Sequence, residues 1–234
     1  VQDLRAAVAA GRLPAVPELA AALAAPTGPS VRLVLPWPWG GEPFEIAALG
    51  ALTWLTGPLG SGKTRLAEAL AAALPGATFV PLDRGVAARA GHDPDLGARV
   101  ERALHKLCND GASDSPALRA LLAILEDERL GALVIDLVEQ GLDGPTQEAL
   151  AGRLRRRATV DRPLVAMTRS TALLDLDVAG SDETVLYCPA NHAPPVAVRP
   201  VPGAPGYEAL TLCLASPEVR ARTEGMTASR RAQV

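Results

Sequence analysis

The chain has 234 residues, 48% of them hydrophobic and 21% charged, with a formal net charge of −3. That balance describes a globular chain with a real core and excludes a disordered or fibrous one. It also disfavours a nucleic-acid binder that works through bulk positive charge. No run of 18 apolar residues is present, and the Ala-rich start lacks a basic segment followed by a clean apolar core. The expectation is therefore a cytoplasmic protein with no direct membrane insertion. Cys108, Cys188 and Cys213 are odd in number and lack metal-ligand spacing, so they read as buried or half-buried thiols. His92, His105 and His192 are scattered and receive no chemistry.

Residues 1–30 carry two short Ala/Leu segments broken at Gly11 and Pro14, which predict an N-terminal helical appendage. Residues 31–35 alternate and are β-branched, hence a strand; a Pro-Trp-Pro-Trp-Gly-Gly turn separates it from extended residues 43–46. The apolar run at 51–56 reads as a buried parallel strand. A helix over 63–74 stops at Pro75-Gly76, and a strand over 77–81 precedes helices at 95–107 and 116–126, the latter capped by Ser115. Then come a strand at 132–137, a helix at 145–157 and a strand at 163–168. The order predicts an α/β fold, a mostly parallel sheet flanked by helices. Strands at 184–187, 196–199 and 210–214 are expected to close one edge as an antiparallel meander. The domain is placed at 31–215, with 216–234 a short helix and tail.

Gly57-Pro58-Leu59-Gly60-Ser61-Gly62-Lys63-Thr64 satisfies the pattern GxxxxGK[ST], between a predicted strand and a predicted helix. This is a P-loop: glycines let consecutive backbone N–H groups converge on one phosphate at the positive end of a helix. Lys63 and Lys106 are the only lysines among 23 basic residues. A lysine retained in an Arg-rich chain suits a compact point charge on the β- and γ-phosphates better than a forked guanidinium does. Thr64 is the expected Mg²⁺ ligand through its hydroxyl, and Asp136, ending the apolar run Ala132-Leu133-Val134-Ile135, is the second. The implied cofactors are ATP and Mg²⁺.

Residues 43–64, leading into the P-loop, and Asp136-Leu137-Val138-Glu139-Gln140-Gly141-Leu142-Asp143 resemble the ABC-type ATPases, in the broad sense that includes RecF-like members. The resemblance implies an ABC-ATPase-like P-loop NTPase fold, a metal-binding Asp136, a D-loop at Gly141-Leu142-Asp143, and an adenine stacked on Trp37 or Trp39. Several positions depart from the family. Leu137 stands where the catalytic Glu is expected, Arg169 at the switch His, and Leu82 at the Q-loop Gln. The signature loop falls near Ser113-Asp114-Ser115, where Asp114 would face a phosphate with the wrong sign. Leu137 can neither polarise water nor accept a proton. Glu139 could replace it by swinging toward the γ-phosphate, and Arg169 could stabilise charge there. Binding positions are intact and hydrolytic ones altered, so the expected function is a slow or regulatory Mg-ATP switch that serves a protein partner. The alternatives are a small-molecule kinase with Arg153–Arg157 as its lid, a non-hydrolysing ATP-binding module, and a transporter-associated subunit. The run Arg153, Arg155, Arg156, Arg157 reads as a helix terminus or as a patch for nucleic acid or an acidic partner.

Overall fold

The computed structural model describes residues 28–84, 95–180, 183–216 and 220. Most of the expected N-terminal appendage and C-terminal tail lies outside them. The hairpin β1 (Val31–Val34) and β2 (Pro43–Ile46) is followed by β3 (Leu52–Thr56), α1 (Lys63–Ala73) and β4 (Thr78–Val80). Next come α2 (Leu96–Asn109), α3 (Pro116–Leu125), β5 (Leu133–Ile135), α4 (Gly144–Arg157) and β6 (Leu164–Met167). The strands β7 (Glu183–Tyr187) and β8 (Val196–Val198) and the helix α5 (Tyr207–Leu214) complete the order.

Six strands form one sheet in the order β4-β5-β6-β3-β7-β8, and only β8 runs antiparallel. Helices cover both faces, as the alternation of strand and helix in the sequence predicts. Side chains alternate with the period of a strand. Trp54 on β3, Leu133 and Ile135 on β5, and Leu164 and Ala166 on β6 face the core shared with α2, α3, α4 and α5. Leu55, Val134, Val165 and Met167 face the opposite core, against α1 and the β1–β2 hairpin. Both faces of the central strands are thus dry, which is why those strands read as unbroken apolar runs.

Two expectations fail. Residues 210–214, Leu-Thr-Leu-Cys-Leu, alternate like a strand but belong to α5. Gly206 opens that helix in a left-handed conformation, Leu210 and Leu214 are buried one helical turn apart, and Leu212 is 74% exposed. With β8 already at the edge of the sheet, burial of one helical face replaces strand pairing, and tertiary packing overrides local pattern. Cys108 is exposed rather than buried, at the margin of the stripe that α2 buries through Val100, Ala103, Leu104 and Leu107.

Candidate functional site

The carboxyl ends of β3, β5, β6 and β7 meet along one edge of the sheet, the edge where open α/β folds place ligands. From β3 the chain enters the loop at Gly57 and leaves it at Lys63. The loop glycines are required by space as well as by backbone conformation. A Cβ on Gly57 would sit 2.3 Å from the Cys188 carbonyl oxygen, and one on Gly62 would sit 2.7 Å from the Trp39 ring. Gly57, Gly60 and Gly62 all have positive φ. Gly62 offers α1 no side-chain cap, and the first turn of α1 has no acid, so the opening N–H groups are left to the loop cavity. The Lys63 ammonium is buried and donates to the Gly57 carbonyl at 2.8 Å, the Pro58 carbonyl at 2.6 Å and Ser61 Oγ at 3.3 Å.

Asp136 lies at the end of β5, two strands from β3 with β6 between them. The Thr64 hydroxyl nonetheless donates to Asp136 Oδ2 at 3.4 Å. Asp136 Oδ1 is buried and has no hydrogen-bond partner among the described residues. Burial pushes the carboxyl up to about 6 and nearby Glu139 adds to the rise, while the Thr64 hydroxyl, Lys63 and Arg84 oppose it. A hydroxyl beside a buried carboxylate oxygen is the hard donor set that Mg²⁺ takes, so these residues fit the ion. No cluster of three or more His, Cys, Asp or Glu that could hold a metal occurs among the described residues.

The turn after Asp136 begins at Leu137, a non-glycine residue with φ of +40°. Glu139 does not reach toward the loop as a free acid. It is buried, accepts the Thr168 hydroxyl at 2.8 Å and the Arg169 N–H at 2.9 Å, and so ties the exit of β5 to the exit of β6. Arg169 itself is buried beside this junction. The residue that sequence reasoning missed is Arg84, just beyond β4. The residue is 5% exposed, and its guanidinium donates to the Leu137 carbonyl at 2.6 Å and the Val138 carbonyl at 3.2 Å. Burial lowers it to about 10 against the pull of Glu139 and Asp136. No motif announces Arg84; the one available signal was a charge shortly after a short apolar strand.

Around the loop the two tryptophans part. Trp37 is 79% exposed, whereas Trp39 is buried against Gly62 and donates its indole N–H to the Ala193 carbonyl at 3.0 Å. Trp39 therefore buttresses the loop from behind, and Trp37 is the one that offers a free ring face. His192, dismissed from the sequence, has its Nε2 3.1 Å from the Gly60 carbonyl. At residues 113–115, Ser113 donates to Asp143, Ser115 caps α3, and Asp114 is held bidentately by Arg119 at 2.7 and 2.8 Å. The Asp114 charge is thus answered inside the chain, which removes most of the repulsion it would bring to a phosphate.

No family model matches the chain, and no curated protein matches it. Solved structures that resemble it include a bacterial Atm1-family ABC exporter with ATP bound, at 18% identity and a TM-score of 0.49, covering 70% of this chain and 38% of the exporter chain. Another is cbiO1 from Clostridium perfringens, part of the ABC transporter complex cbiONQ, at 13% identity and a TM-score of 0.43, covering 67% of this chain and 83% of that one. The chain spans well under half the length of the exporter it matches. No described helix is long and apolar enough to cross a membrane.

Proposed function

We propose that this chain binds Mg-ATP in the loop 57–64 and acts as a slow or regulatory ATPase switch for a protein partner. The observation that carries the reading is the pairing of a glycine-built phosphate cradle with a buried, unbonded Asp136 Oδ1 beside the Thr64 hydroxyl. Lys63 and the opening N–H groups of α1 hold the phosphates, and Thr64 and Asp136 hold the metal. When bound, Mg²⁺ supplies charge screening to the phosphates. Slow turnover follows from the neighbours. Leu137 carries no proton acceptor, and both oxygens of Glu139 already accept from Thr168 and Arg169. In this reading the base stacks on the exposed ring of Trp37, because Trp39 is buried.

Three of the four arginines that a kinase lid would use are engaged within the fold, which disfavours the kinase alternative. Arg153 is bonded to Glu126, Arg155 to Glu183, and Arg157 to the carbonyls of Leu130 and Gly131 at the far edge of the sheet. Thermal melting with Mg-ATP tests the cradle: ligand binding to the folded state alone raises Tm, by about 2.7 kcal/mol of stability at a ligand excess of about 100 times Kd. Lys63→Ala is expected to remove most of that shift. An equal shift in the variant refutes the site.

A further inference from the structure

A second charged region lies away from the cradle. On α2, Arg99, Arg102 and Lys106 recur at three- and four-residue spacing and so share one stripe, with Lys106 the second of the two lysines in the chain. On α4, Arg153 and Arg156 do the same. The α2 stripe and Arg153 line a cleft of about 680 Å³, which meets a smaller recess of about 230 Å³, walled by Arg156, across the shared residues Glu126 and Arg153. Seven Arg and Lys side chains face three carboxylates along the pair, in a molecule whose net charge is −3.

Two of those carboxylates are already answered. Glu101 pairs with Arg119, and Glu126 is held by Arg153. In the smaller recess Arg157 and Arg162 donate to main-chain carbonyls, which fix their direction without cancelling their charge. Arg102, Lys106 and Arg156 are exposed, and none of them has an ion pair with a described carboxylate. The walls thus keep a surplus of positive charge that the fold does not use.

We propose that this groove between α2 and the C-terminal half of α4 binds the phosphodiester backbone of duplex nucleic acid. The chemistry of the lining selects among anionic partners. No Phe, Tyr or Trp lines either recess, and the one imidazole, His105, stands without a second ring beside it, so successive bases have no stacking platform of the kind single-strand binders use. The apolar lining amounts to Ala103 and Leu125, which denies a folded protein the buried anchor that such interfaces centre on. A concave channel fits a convex phosphate ridge, and Arg is suited to paired contacts with phosphate oxygens. A bulk charge of −3 does not oppose this, because what acts on a ligand at contact distance is the local field, and more distant charges are screened beyond roughly 10 Å. The proposal does not depend on nucleotide binding at 57–64.

The test is fluorescence anisotropy of a short labelled DNA duplex with the full chain, across roughly 50 to 200 mM salt. Binding is expected to weaken with salt at a logarithmic slope of about 0.9 per phosphate neutralised. The triple variant Arg102→Ala, Lys106→Ala, Arg156→Ala is expected to lose about 2.7 from that slope and at least tenfold in affinity, with Tm unchanged. Lys63→Ala is expected to bind duplex as the wild type does, so that failure of the nucleotide site and failure of the groove are told apart. The proposal is overturned if the wild type does not bind at the lowest salt, or if the triple variant keeps its slope. It is equally overturned if a single strand of the same length, or poly-glutamate, binds as tightly as the duplex.

Discussion

The cations beside the loop 57–64 and those of the groove between α2 and α4 differ in what surrounds them. At the cradle edge Lys63 and Arg84 are buried, and their donors are committed to main-chain carbonyls of the loop and of the turn after β5. In the groove lined by α2 and α4, Arg102, Lys106 and Arg156 stand exposed, with no ion pair to a described carboxylate. The same side-chain types therefore do different work. Burial turns a charge into a fixed piece of geometry whose loss unsettles the fold. Exposure leaves it as field, available to a partner and nearly free of structural consequence.

The largest effect that separates the two regions is expected at Arg84. Arg84→Ala takes a charged donor from the Leu137 and Val138 carbonyls and removes one of the buried cations that face Asp136 and Glu139, so a loss of about 3 kcal/mol is expected in urea unfolding. A loss below about 1 kcal/mol would place Arg84 with the groove cations instead. Next comes the turn that Arg84 holds. Leu137→Glu is expected to raise phosphate release roughly tenfold, short of the 10²- to 10⁴-fold that a well-placed base contributes. The shortfall arises because Leu137 has left-handed backbone and packs against the core beside α1. If Glu139→Gln instead abolishes release in the otherwise unaltered chain, Glu139 is the base, despite its two internal bonds.

A third contrast lies in pH. Asp136 rises from 3.8 to about 6 mainly through burial, so in metal-free protein it keeps its proton where the unfolded chain has already lost one. That contribution is complete below pH about 4 and is lost as the pH rises through about 6. Without metal, Asp136→Asn is therefore expected to hold its Tm across that window while the wild type declines, and at pH 8 the variant melts higher. Adding Mg-ATP should reverse the order, since the variant lacks the anionic oxygen. A variant that melts lower at pH 8 without metal would show that the carboxylate is not costly there. The smallest effect belongs to the groove: the triple alanine variant of Arg102, Lys106 and Arg156 is expected to unfold within error of the wild type, because exposed charges contribute little.

What could be read in advance follows the same division between local and non-local causes. The loop 57–64 was legible because phosphate cradling needs a run of consecutive residues, and glycine is demanded wherever a Cβ would strike Cys188 or Trp39. Asp136 was legible because a carboxylate closing an apolar run stands out against its neighbours. The strands β3, β5 and β6 announced themselves by being buried on both faces. Arg84 was not legible, since nothing near it in sequence states that the chain beyond β4 folds over the turn after β5, 53 residues on. Nor was the separation of Trp37 from Trp39, which depends on the distant segment carrying Ala193.

By itself, then, the sequence determined the elements whose signals are periodic or contiguous: the doubly covered parallel sheet, the glycine-built loop 57–64 and the buried acid that follows β5. Tertiary structure alone decided three other things. Residues 210–214 fold as a helix although they alternate like a strand, because β8 already occupies the edge and burying Leu210 with Leu214 satisfies the core. Glu139 is an acceptor for Thr168 and Arg169 rather than a free acid, because β6 lies between β5 and β3. The arginines of α2 and α4, far apart in the chain, share one groove because α2 and α4 pack on the same face of the sheet. Each of these depends on which distant residue becomes a neighbour, and a local pattern carries no record of that.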